Sequence, residues 1–150
     1  MVMMYRTEKG MKWKCVCLVA LMAYIFFVFY LAVLSREITE ESFIKMNLLR
    51  CYLKPSGDNY RDVLVNIVGF IPVGVLVGML SRRHLVPKAL LAGLLLSLSV
   101  ECSQLLWSRG VFDVDDIFNN SLGAVIGGAI AMCLLRIRKP INGTGRHIRR

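Results

Sequence analysis

Residues 89–107 read ALLAGLLLSLSVECSQLLW, and this stretch decides the fold. Its 19 residues carry a single formal charge, Glu101. A helix of that length, rising about 1.5 Å per residue, reaches about 28 Å and nearly spans the roughly 30 Å hydrocarbon core of a bilayer. Three more runs, Cys15–Leu34, Val63–Leu80 and Ile117–Leu135, are as apolar and hold no charge at all. The chain is 56% hydrophobic and 19% charged, with a mean hydropathy of +0.57, which excludes an ordinary soluble domain of its 150 residues. The sequence therefore predicts an all-α fold: one integral membrane bundle of four transmembrane helices over residues 1–150, which includes a basic tail at 136–150.

The +9 net charge is distributed by topology. Lys and Arg leave +3 over residues 1–14, +3 over 81–88 and +6 over 136–150, whereas 35–62 balances five against five and 108–116 carries −2. Positive segments thus alternate with neutral or acidic ones at each crossing. By the positive-inside rule, both termini and the middle loop face the cytoplasm, and the expected localisation is a multi-pass cell membrane. The bilayer is the expected partner and nucleic acid is not. The first run, 20 residues long, exceeds the core of a signal peptide and has no small-x-small cleavage site after it, so it reads as an uncleaved span.

Short features complete the frame. In the connector 35–62, Phe43, Met46, Leu49 and Leu53 recur at helical spacing, which predicts a short interfacial helix in the outer loop, or else a loop with apolar anchors. Lys54-Pro55-Ser56-Gly57-Asp58 reads as the turn that launches the second span. Pro72 predicts a kink near Ile71. Gly74 and Gly78, with Gly123 and Gly127, are pairs spaced for close helix packing, and they also permit a homo-oligomer. The five cysteines are odd in number and lack metal or disulfide spacing, and neither a metal nor a cofactor is expected.

The polar residues inside the runs cluster at one end. Glu101 lies about 9 Å below Trp107 at about 1.5 Å per residue. An acid at that depth costs roughly 2–3 kcal/mol or more and turns inward to a partner or a wet cavity. Gln104, three residues on, shares its face. Arg109, Asp113 and Asp116 follow in the loop, with Asn120 one turn into the fourth span. Asp115 or Asp116 suits the helix N-terminus as a cap. Arg61 and Asn66 enter at the same level at the start of the second span. One reading makes this helix glue, with Glu101 paired to Arg61 or Arg109. The other makes it a pocket open to the outer face that meets a polar head group, an ion or a proton.

The order Asn66-x3-Phe70-x-Pro72-x-Gly74, then Glu101-x2-Gln104, Arg109, Asp113-x2-Asp116-x3-Asn120-x2-Gly123 and Gly127 resembles the VanZ-like family. Its founding member is an accessory protein of glycopeptide-resistance clusters. The likeness covers residues 61–135. It implies a bacterial cell-envelope protein and reduced susceptibility to teicoplanin or lipoglycopeptides, and it supplies no catalytic residues. The leading expectation is a polar outer-leaflet pocket that engages a lipid-linked cell-wall precursor or an anionic lipid. In it Glu101 is the buried acid, Arg61 and Arg109 are anion contacts or counter-ions, and Asp113 and Asp116 form the rim. Asn66, Gln104 and Asn120 orient the others. The alternatives are a membrane enzyme that modifies a lipid or wall intermediate with Glu101 and Asp116 as acid and base, and a small ion-coupled transporter.

Overall fold

The structure is a computed structural model that describes residues 2–39, 43–46, 57–81 and 83–137. Four long helices form in the order α1 (Val2–Phe29), α2 (Gly57–Leu80), α3 (Leu85–Leu106) and α4 (Val114–Ile137). Segments of 25, 21, 22 and 24 residues within them are long and apolar enough to cross a membrane. Each helix begins before its apolar run, because the flanking polar residues remain compatible with helix outside the hydrocarbon region. The expected turn at Gly57-Asp58 is therefore already helical, and residues 54–56 lie outside the described residues. Pro72, expected to kink α2 near Ile71, does not interrupt it: the helix runs continuously through the proline.

Large side chains point away from the bundle. Leu91, Leu95, Leu106, Val68 and Phe26 are among the exposed apolar residues, as a lipid-facing surface requires. The interior is built from small residues, including Ala89, Ala124, Ala131 and Val73. With no hydrophobic drive between helices in lipid, close backbone approach supplies the packing energy. The α2–α4 seam takes this furthest. A methyl added at Gly123 would overlap the Ile67 carbonyl, one at Gly127 the Ile71 carbonyl, and one at Gly74 the Ala124 carbonyl. At Gly78 the obstruction is the Ala131 side chain.

Helix α1 is the outlying member, with Cys17 and Val33 as its buried apolar residues among those described. It ends in a π-helical turn, Tyr30–Leu34, closed by the Ser35 N–H donating to the Tyr30 carbonyl at 2.9 Å. The wider turn releases carbonyls that find partners on α3 and the loop after it. Phe29 also meets Trp107 edge to face, with ring centroids 5.9 Å apart. The next loop is pinned rather than helical. Strand β1 (Ile44–Lys45) pairs in parallel with β2 (Phe112–Asp113), and Thr39 N–H donates to the Ser108 carbonyl at 2.7 Å. This corrects the interfacial helix at its start: residues 43–46 are extended, because backbone pairing with 112–113 satisfies their polar groups. Leu49 and Leu53 lie outside the described residues.

Candidate functional site

Helix α3 aims its polar side chains at the Trp107 end of the bundle. Ser97, Glu101 and Gln104 lie three or four residues apart, and all are buried. The helix then closes with Ser108 in the left-handed region at φ 52°, and Arg109 N–H donates back to the Gln104 carbonyl at 2.8 Å. That ending reverses the chain within two residues. It turns Arg109 back toward α1, where its Nη1 donates to the Leu34 carbonyl at 2.8 Å and the Arg36 carbonyl at 2.7 Å. Gln104 Nε2 donates to the Ala32 carbonyl at 2.9 Å. Gln104 and Arg109 thus collect carbonyls released by the π-helical turn and the residues just after it.

Strand β2 places Asp113 directly before α4. Its Oδ1 accepts the Asp115 N–H at 3.0 Å, so Asp113 caps the helix, and the cap expected at Asp115 or Asp116 lies two or three residues further upstream. The Asp113 backbone N–H donates to Glu101 Oε2 at 2.8 Å. Glu101 therefore has a backbone partner, and the ion pair expected with Arg61 or Arg109 does not form among the described residues. Asp113 Oδ2 lies 3.9 Å from Lys45 Nζ, an exposed contact worth roughly 0–1 kcal/mol.

Two amides complete the site. Asn66 Nδ2 on α2 donates to Asp116 Oδ1 at 2.7 Å. Asn120 Nδ2 on α4 donates to Ser97 Oγ at 2.8 Å, while Asn120 Oδ1 is buried without a partner among the described residues.

A cavity of about 240 Å³ lies among α1, α2, α3 and α4. Asn66, Glu101, Gln104, Asp116 and Asn120 line it, together with Arg36. Its walls continue along Tyr24, Phe27, Leu31, Val65 and Phe70. Arg61 is exposed and does not line it; Asp113 reaches it through Glu101, and Arg109 stands behind it as the clamp on α1. Among the described residues the cavity cation is Arg36, and a methyl at Gly110 would come within 3.2 Å of its Nη1, so the small residue leaves room for the guanidinium. Among the described residues no three His, Cys, Asp or Glu side chains gather as a metal-binding group.

The VanZ/LLP1 family profile matches residues 13–136, which takes in every residue of this site and all four spans but for the first three residues of the first and the last residue of the fourth. The chain belongs to the VanZ/LLP1 family. It is also similar to Protein VanZ of Enterococcus faecium, at 31% identity over 70 residues. That alignment covers 46% of this chain and 43% of the relative, so the chain spans less than half the length of the protein it matches. No solved structure matches. Family membership and the four apolar helices establish a multi-pass membrane protein.

Sequence reasoning missed Arg36, Tyr24 and Ser97. Ser97 carried a signal, since Gly93, Ser97, Glu101 and Gln104 form a small and polar stripe on one face of α3. Arg36 carried none: it is one of ten charges in a neutral connector. Tyr24 reads as lipid-facing in an apolar run, yet its hydroxyl donates to the Gly69 carbonyl at 2.9 Å and ties α1 to α2.

Proposed function

We propose that this VanZ-family protein acts at the outer face of the cell envelope, where its polar pocket lowers the access of teicoplanin-type lipoglycopeptides to their membrane-surface target. The single observation that supports this reading is the cavity at the Trp107 end, where side chains from three helices and Arg36 converge around a buried carboxylate. Helix glue needs no cavity. A network serving packing alone would close onto itself, whereas here Asn120 keeps a buried polar atom without a partner. The charge distribution supports the outward orientation, because the segments flanking this end are neutral or acidic and those at the other end are basic.

The orientation has its own expected result. In a cysteine-free background, Glu37→Cys labels with a membrane-impermeant maleimide in intact cells, and Arg83→Cys labels only after permeabilisation. Both positions are exposed, so the contrast reports sidedness. The reverse pattern places the cavity on the cytoplasmic side and overturns the proposed site of action.

The functional reading is tested by teicoplanin susceptibility in a Gram-positive host that expresses the chain. Wild type raises the inhibitory concentration. Asp116→Asn and Asn66→Ala, at matched membrane levels, each return it most of the way to the empty-vector value. Full protection by both variants would assign the pocket to structure alone.

A further inference from the structure

The cavity is arranged as an amphiphile is. Its polar groups lie near the Trp107 end, and its apolar wall runs from there toward the bilayer midplane along Leu31, Phe27 and Tyr24 of α1. From Tyr24 to the end of the π-helical turn at Leu34 is ten residues, about 15 Å, so the slot reaches about half-way across the roughly 30 Å hydrocarbon core. Phe27, Leu31 and Val65 line it and are nevertheless 51%, 50% and 61% exposed, which brings the wall out to the lipid-facing surface between α1 and α2. A ligand can enter sideways from the bilayer. Its volume, about 240 Å³, is a little below the roughly 300 Å³ at which pockets for whole small molecules begin, so it holds a head group and part of one chain.

Among the described residues the polar end is short of donors. Asp113 N–H reaches only Glu101 Oε2, and Asn66 reaches only Asp116 Oδ1. Among the described residues no bond reaches the second oxygen of either carboxylate, and Asn120 Oδ1 is buried without a partner. Among the described residues, two carboxylates face one cation, Arg36. Arg109 uses its Nη1 on two backbone carbonyls, and Arg61 lies outside. An anionic head group would meet repulsion with little to offset it.

We propose that the cavity is a lateral binding slot for a membrane lipid whose head group supplies hydrogen-bond donors, hydroxyl or ammonium, and carries no net negative charge. Glu101, Asp116 and Asn120 accept from the head group, and one acyl chain lies along Leu31, Phe27 and Val65. This rests on the pocket reading above and names its ligand class, replacing the anionic lipid expected from the sequence.

The test is native mass spectrometry of the purified full chain. It is titrated with monoglucosyl-diacylglycerol, lysyl-phosphatidylglycerol and phosphatidylglycerol of identical acyl chains. The expected result is that one of the first two binds at least about tenfold more tightly than phosphatidylglycerol, roughly one decade in Kd. Whichever binds separates a sugar source of the donors from an amino source. Glu101→Gln with Asp116→Asn removes the preference. Gly69→Leu, at a cavity-lining position where an added side chain meets open space, lowers binding of the preferred lipid, and Val65→Trp does so independently. Circular dichroism confirms the helices of each variant. Equal or tighter binding of phosphatidylglycerol, or a preference that survives all these variants, overturns the proposal. A chain that prefers phosphatidylglycerol yet still protects cells from teicoplanin would refute this ligand class and leave the pocket function standing. Selective binding without protection would do the reverse.

Discussion

Gly123→Val is expected to leave no folded protein in the membrane, and Gly123→Ala to accumulate with a melting temperature lowered by roughly 5–10 °C. The cause is the α2–α4 seam. A β-carbon at Gly123 falls on the Ile67 carbonyl, a backbone atom that cannot rotate away as a flexible side chain would. The helices must separate, and the neighbouring contacts at Gly127 and Gly74 part with them. Overpacking of this kind costs about 1–3 kcal/mol where the surroundings can shift, and more where they cannot. Gly69→Ala is the control. It lies in the same bundle, but its added methyl meets nothing within 4 Å, so stability is kept or slightly raised. Thermal unfolding of purified protein, followed by the monodisperse fraction, separates the two. Equal melting temperatures for Gly123→Ala and wild type would show that the seam is looser than described.

Arg109→Ala is expected to detach the end of α1 from α3 while the α2–α4 pair stays folded. The guanidinium joins the two elements through the Leu34 and Arg36 carbonyls, and charge-assisted bonds are worth roughly 1.5–3 kcal/mol each when well shielded. These are exposed and can rehydrate, so the net loss is about 1–3 kcal/mol. Gln104 and the Phe29–Trp107 ring contact continue to hold the same junction. Both bonds leave one nitrogen, Nη1, so Arg109→Lys restores part of the loss: an ammonium can donate to both carbonyls, but from a shorter stem. Hydrogen exchange reads the result: faster exchange confined to residues 30–39, with α2 and α4 unchanged. Uniform acceleration over the whole chain would mean that the clamp holds the global fold instead.

The fold was legible because the bilayer constrains it so tightly. Four uninterrupted apolar runs admit no other structure than spanning helices, and backbone groups in lipid must be satisfied within each helix. The connector was harder. Phe43 and Met46 have helical spacing, but their neighbours' backbone groups pair with 112–113, a contact between distant segments that local periodicity does not encode. The same pairing fixes Asp113 as the cap, where residue type alone favoured the two aspartates after it.

At the site, depth in the membrane was the informative signal. Glu101, Gln104, Asn66 and Asn120 are polar inside apolar runs, where polarity is costly, and all four line the cavity beside Asp116. Charge was the misleading one. Arg61 and Arg109 read as partners for Glu101 because they are cations at the right level, yet the reversal of the chain at Ser108 turns Arg109 toward α1. Arg36 has the cavity position instead, supplied just past the end of the first span, whose run carries no charge.

The central claim is that the buried carboxylate belongs to a working site. The most direct measurement is binding of fluorescent teicoplanin to Gram-positive cells that carry the wild-type chain, its Glu101→Gln variant or neither, at matched membrane levels. The isosteric amide keeps the volume and can still accept the Asp113 N–H, so the fold is retained. Drug binding is expected to fall with wild type and to stay at the empty-vector level with the variant. Equal reduction by both would contradict it and return the pocket to helix packing.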